Sequence, residues 1–135
     1  MSESLIRNRD YMRQIKDFSG LRFGKISPTD IDGFLNFGNS LFIFVEMKHG
    51  DARIPYGQKL ALTRLCDAVA NEYRQSYLLI VRHEMGCEHD INASEQMVTD
   101  VYHERKWNSV AEGWTLKRMI DWILEKHNRL GAASG

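Results

Sequence analysis

The stretch SPTDIDGFLNFGNSLFIFVEMK, residues 27–48, decides how the rest of the chain is read. Asp30–Phe37 has the aliphatic and aromatic content of a strand, Gly38, Asn39 and Ser40 are turn residues, and Leu41–Lys48 reads as a second strand. Together they predict a β-hairpin. If Gly38, Asn39 and Ser40 form the turn, Phe37 faces Leu41, Asp32 falls opposite Glu46, and Asp30 falls opposite Lys48. A shorter turn or a bulge would set Asp32 across from Val45 instead. Large residues on both faces of both strands leave the two registers open.

Side chains alternate along a strand, so Glu46 and Lys48 share one face whatever the register. Directly opposed Cβ atoms lie about 5 Å apart, close enough for Asp32 and Glu46 to share a divalent cation that offsets their repulsion. Lys48, one strand repeat further on, could activate water or steady charge on a phosphate. The plainer alternative is an edge hairpin whose acids pair with Lys48 and solvent.

Working outward, Tyr56 to about Arg74 has the 3.6-residue period of a helix, with Leu62, Leu65, Cys66, Val69 and Tyr73 on one side. Gln58 lies one turn before Leu62 on that inward stripe. Its amide could reach the mouth of a site at the strand end or cap the backbone of its own helix. Tyr77–Arg82 is a continuously apolar run suited to a buried central strand, reached from the hairpin by a helical crossover. His83–Glu95 reads as a polar loop, Met97–His103 as a further strand, and Trp107 as the end of the sheet. A last helix is expected from Thr115, as N-cap, to about His127.

Before the hairpin, Ser4 to Asp17 reads as an amphipathic helix. The expected order is α-β-β-α-β-β-α: an α/β fold with a mixed central β-sheet flanked by helices, in a single domain over residues 1–130. Residues 131–135 read as a flexible tail or a remnant of expression.

Composition sets bounds on function. The longest strictly apolar run, Leu41–Val45, is far short of the roughly 20 residues that a membrane helix needs. The opening residues carry no signal-like apolar stretch, so a cytoplasmic protein is expected. Cys66 and Cys87 read as free thiols. A formal net charge of zero resists a nucleic-acid reading, but the charge is segregated. Arg7, Arg9, Arg13, Lys16, Arg22 and Lys25 cluster in residues 1–25, whereas residues 84–104 hold acids and no Lys or Arg. Arg7, Arg9, Arg13 and Lys16 are the candidate DNA-binding residues, with a solvated helix face as the alternative.

Pro28, Asp30, Asp32, Glu46, Lys48 and the Gly57-Gln58 pair that opens a helix together resemble the PD-(D/E)xK nuclease superfamily. Small phage-type members and the Holliday-junction resolvase and VRR-NUC branches are the most similar. The resemblance covers about half of the chain, from Pro28 to near Arg82. It implies a restriction-endonuclease-like core and a Mg²⁺-dependent deoxyribonuclease, with Mn²⁺ as a substitute ion and DNA as substrate. Asp32 or Asp30 matches the first acid, Glu46 the second, Lys48 the lysine and Gln58 the glutamine of the following helix. The Met47 backbone carbonyl is implied as a further metal ligand. Thr29 separates Pro28 from Asp30, which departs from the strict motif and leaves the choice of aspartate open. Asp32 is preferred because the odd-turn register sets it against Glu46. A symmetric dimer is expected if both strands are cut. The alternative is a catalytically silent domain of the same type that binds nucleic acid or protein.

Other features compete less well. His83, Cys87 and His89 share one loop but lack the fourth ligand and paired spacing of a structural zinc site. Trp122 is expected in the core with Met119 and Ile123. Trp107 and Trp114 are left open, since base stacking requires an accompanying basic groove. Neither a Gly-x-Ser-x-Gly elbow nor a Walker-type loop occurs.

Overall fold

The hairpin turn sets the geometry of everything that follows. Gly38 and Asn39 both take positive φ, near 61°, and the Asn36 side chain accepts the Asn39 N–H at 2.9 Å. This loop joins β1 (Gly33–Phe37) to β2 (Leu41–His49) with Phe37 opposite Leu41 and Gly33 opposite Val45. The register is therefore the odd-turn one. β1 is shorter than expected, however, and both Asp30 and Asp32 precede it. The chain before Gly33 is held by an acidic side chain rather than by the ladder, as described below.

The computed structural model describes residues 15–128. After β2 come α1 (Tyr56–Val69), β3 (Gln75–His83), a 3₁₀ turn at Ala93–Glu95, β4 (Met97–His103), β5 (Lys106–Ser109) and α2 (Leu116–Lys126). The result is an α/β domain with one mixed sheet in the order β1-β2-β3-β4-β5. β2 and β3 run parallel across the α1 crossover, and every other neighbouring pair is antiparallel. The helix expected over Ser4–Asp17 falls almost wholly outside the described residues. Residues 15–17, the part within them, are non-helical and exposed.

Alternation along β2 and β3 divides the core into two layers. Leu41, Ile43, Val45, Tyr77, Leu79 and Val81 face α2, where Leu116, Met119, Ile123 and Leu124 cover them. Phe44, Leu78, Ile80 and Tyr102 face α1 through Leu62 and Cys66. β3 is buried on both faces, as its unbroken apolar run required. Thr115 caps α2 by accepting the Arg118 N–H at 3.1 Å.

Three expectations are corrected. α1 stops at Val69 rather than near Arg74, because Ala70 turns extended and Asn71 Oδ1 captures the N–H groups of Tyr73 and Arg74. Tyr73 is consequently exposed rather than part of the inward stripe. Trp107 does not merely end the sheet but lies within a fifth strand, joined to β4 by Glu104 and Arg105, both at positive φ. Trp122 is 46% exposed while Met119 and Ile123 are buried, because Trp122 leans edge-on against Trp114 at the rim.

Candidate active site

Alternation places Glu46 and Lys48 on the α1 side of β2, next to the first turn of α1. Glu46 is almost completely buried there, at 1% exposure. Gln58 projects from α1 into this corner and joins the two: its Nε2 donates to Glu46 Oε2, and its Oε1 accepts from Lys48 Nζ at 3.1 Å. Lys48 Nζ also lies 3.6 Å from Glu46 Oε2. The sheet register and the pitch of α1 thus assemble an acid, an amide and an ammonium.

Asp32 reaches the same point from outside β1. Its Oδ2 accepts the Met47 backbone N–H at 2.7 Å, taking the place of the ladder partner that β1 would have supplied one residue further on. The carboxyl interacts directly with that of Glu46. Burial first, and then the hydrogen bond and charge of Asp32, push the Glu46 carboxyl up from 4.5 to about 8, against the opposing pull of Lys48. The other oxygen of Glu46, Oε1, is buried and has no hydrogen-bond partner. Such an orphaned acceptor is rare in a folded protein, and a water, a proton or a cation can satisfy it.

Asp32, Glu46, Lys48 and Gln58 are therefore gathered together, and Met47 lies between the two strand residues of the set. Asp30 is not gathered with them. Lys48, which the register would have set against Asp30, is engaged by Gln58 and Glu46, while Asp30 lines a cleft of about 520 Å³ with Lys25, Pro28, Gln58 and Arg64. Among the described residues, no group of three or more His, Cys, Asp or Glu side chains could hold a metal ion. Two carboxylates could still hold a hard cation, provided that a backbone carbonyl, water or substrate oxygens complete its shell.

Arg7, Arg9 and Arg13 lie outside the described residues, and Lys16 is exposed. The cationic side chains found near the site are others. Lys25 and Arg64 line the cleft beyond Gln58, and Arg53, Lys59 and Arg82 line a second cleft of about 470 Å³ on the β3 side. Of these, the sequence marked Lys25 alone, as the last member of the basic cluster in residues 1–25; the others come from separate elements and share no spacing. His83, expected in the acid-rich loop, is instead the last residue of β3, where its Nδ1 accepts the Met85 N–H at 3.2 Å, and in the loop His89 lies 3.3 Å from Glu88. Among the described residues no helix is long and apolar enough to cross a membrane. No protein-family model matches this chain, and neither a curated protein nor a solved structure shows significant similarity to it.

Proposed function

We propose that this chain is a divalent-metal-dependent nuclease hydrolysing phosphodiester bonds of DNA, built on a restriction-endonuclease-like core of β1, β2, α1 and β3. The observation that carries the reading is Glu46 Oε1, a buried carboxylate oxygen with no partner, beside the Asp32 carboxyl. Glu46 is buried beside the exposed Asp32 carboxyl with Lys48 as its nearby counter-charge, and a hard cation between the two carboxylates would relieve their repulsion. Asp32 and Glu46 would hold Mg²⁺ or Mn²⁺, with the Met47 carbonyl as a further ligand. The bound ion would neutralise the scissile phosphate and lower the pKa of the attacking water.

The chain's own groups have distinct tasks. Gln58 holds Glu46 through its nitrogen and Lys48 through its oxygen, so one side chain fixes the separation of acid and ammonium. Lys48 supplies a positive charge at the position where negative charge grows in the transition state. Asp32 ties the segment before β1 to β2 and keeps its carboxyl against Glu46.

The test is cleavage of linear, circular, single-stranded and branched DNA with Mg²⁺ and with Mn²⁺. Wild-type protein should cut at least one form, and Glu46→Ala should cut none while keeping its circular dichroism spectrum. Inertness toward every form with both ions overturns the proposal. A catalytically silent binding domain is favoured by one observation, the lack of a third acidic or imidazole side chain at the site among the described residues. Mn²⁺ calorimetry separates the two readings: heat that disappears in Asp32→Ala and Glu46→Ala supports the nuclease, and no heat from wild type supports the silent domain.

A further inference from the structure

The second cleft contains what base stacking requires and the sequence could not supply, an aromatic ring set among cations. Trp107 and Ile80 line it together with Arg53, Lys59 and Arg82. The ring is braced from beneath by Tyr102, whose centroid lies 5.0 Å away and whose hydroxyl donates to both Asp67 carboxylate oxygens at 2.9 Å. The Lys59 ammonium sits 4.9 Å from the Trp107 centroid. The cation thus lies over a ring face that opens to the cleft, at a position where a planar base could take its place.

This cleft adjoins the candidate active site on the same face of the sheet. In the β2–β3 register Glu46 neighbours Ile80 and Lys48 neighbours Arg82, and both of those β3 residues line the cleft. Arg82 Nη1 donates to the carbonyls of Gly50 and Ala52 at 3.1 and 2.7 Å, which fixes the loop carrying Asp51 and Arg53 at the rim. Trp107 pairs with Tyr102, one strand repeat along the sheet from Asp100, and Asp100 is the β4 residue in line with Ile80 and Glu46. Three strand spacings and one repeat put the ring about 16 Å from Glu46, a separation of a few nucleotides.

We propose that the Trp107 cleft seats an unpaired nucleotide of the DNA substrate, so that the enzyme acts on single strands or on duplexes with single-stranded ends. The inference deepens the nuclease reading and rests on it for the substrate class. Charge alone does not select the ligand, because Asp51 and Asp100 also line the cleft and offset two of the three cations, leaving one net positive charge. Discrimination must come from the ring. A base inside a duplex is already stacked, whereas an unpaired base gains a π-surface on entering. The displaced Lys59 ammonium is then free to meet the adjoining phosphate.

Binding is measured by fluorescence anisotropy of end-labelled oligonucleotides with wild-type protein in EDTA, so that cleavage plays no part. A single strand should bind at least tenfold more tightly than a blunt duplex of the same sequence. Trp107→Ala should lose about tenfold of the single-strand affinity and little of the duplex affinity, whereas Trp107→Phe retains most of both. Because Trp107→Ala removes a ring packed on Tyr102, the exposed Lys59→Glu provides a second variant. It should weaken single-strand binding several-fold without lowering the melting temperature. Equal affinity for the two forms, or single-strand affinity unchanged in folded Trp107→Ala and in Lys59→Glu, overturns the proposal. Strand preference and Trp107 dependence in a protein that cuts no DNA with either metal leave the cleft in place and remove the nuclease reading. Cutting that is indifferent to overhangs and to Trp107 does the reverse.

Discussion

Asp32 Oδ2 accepts the Met47 N–H at 2.7 Å, so a side chain closes the β2 edge at the point where β1 has already ended. One carboxylate thereby serves both architecture and chemistry, and the two roles can be separated. Asp32→Asn keeps an oxygen for the Met47 N–H but loses the charge that faces Glu46. It should melt within a few degrees of wild type, bind Mn²⁺ at least tenfold more weakly and lower the Glu46 pKa. Asp32→Ala loses both contributions and should in addition lose about 1 kcal/mol of stability at pH 5. If the two variants melt alike at pH 5, the backbone role of Asp32 is refuted.

Glu46 makes stability depend on pH in the direction opposite to that of most acids. Its carboxyl titrates near 8 in the folded chain against 4.5 as its ordinary value, so the folded state binds the extra proton between those limits. That contribution is complete below about 4.5 and is lost as pH rises through 8. Denaturant titrations without metal should show stability falling over this window by up to about 1.4 kcal/mol per pH unit. Glu46→Gln should flatten the profile, and millimolar Mn²⁺ should raise wild-type stability most at the alkaline end. A wild-type profile that rises from pH 5 to 8 contradicts the assignment.

The site and the fold were legible in the sequence to different depths. The spacing of Glu46 and Lys48 placed both on one face of β2, whereas the sequence left two registers open and only the folded Gly38-Asn39-Ser40 turn selects the one that brings Asp32 toward Glu46. The inward stripe of α1 pointed to Gln58. What could not be read were the features set by tertiary contact. Asp32 sits outside the ladder because a carboxylate can replace a strand partner, which alternation of side chains does not reveal. The Glu104-Arg105 turn lacks the Asn-Gly or Asp-Gly signature of its type, so β5 was hidden. The cations of the Trp107 cleft come from a loop, from α1 and from β3, and only the fold brings them together.

The corrected placement of Trp122 reverses an ordering that side-chain size alone would suggest. Ile123 is fully buried under the sheet, whereas Trp122 is 46% exposed and touches Trp114 edge-on. Ile123→Ala should therefore cost about 2–5 kcal/mol. Trp122→Ala, despite the larger ring, should cost no more than this, about 2–3 kcal/mol from its half-buried area and its aromatic pair. Urea denaturation of the two variants checks this, and a larger loss in Trp122→Ala would show that α2 is rotated from the position described.

Gln58 and Lys48 differ in what they should control. Lys48 lies 3.6 Å from Glu46 and contributes charge, so under the nuclease reading Lys48→Met should lower kcat by about 10²-fold or more. Its effect on Mn²⁺ affinity should be small, because removing a neighbouring cation does not weaken a carboxylate site. Gln58 touches both Glu46 and Lys48 and acts by holding them. Gln58→Ala should cost about tenfold in kcat, and Gln58→Glu should melt below Gln58→Ala in metal-free buffer at about pH 8, since it puts a third carboxylate against a buried one. Single-turnover cleavage beside Mn²⁺ calorimetry reads both effects. If the double variant loses no more than Lys48→Met alone, Gln58 acts wholly through Lys48; losses that multiply would show that it also acts through Glu46.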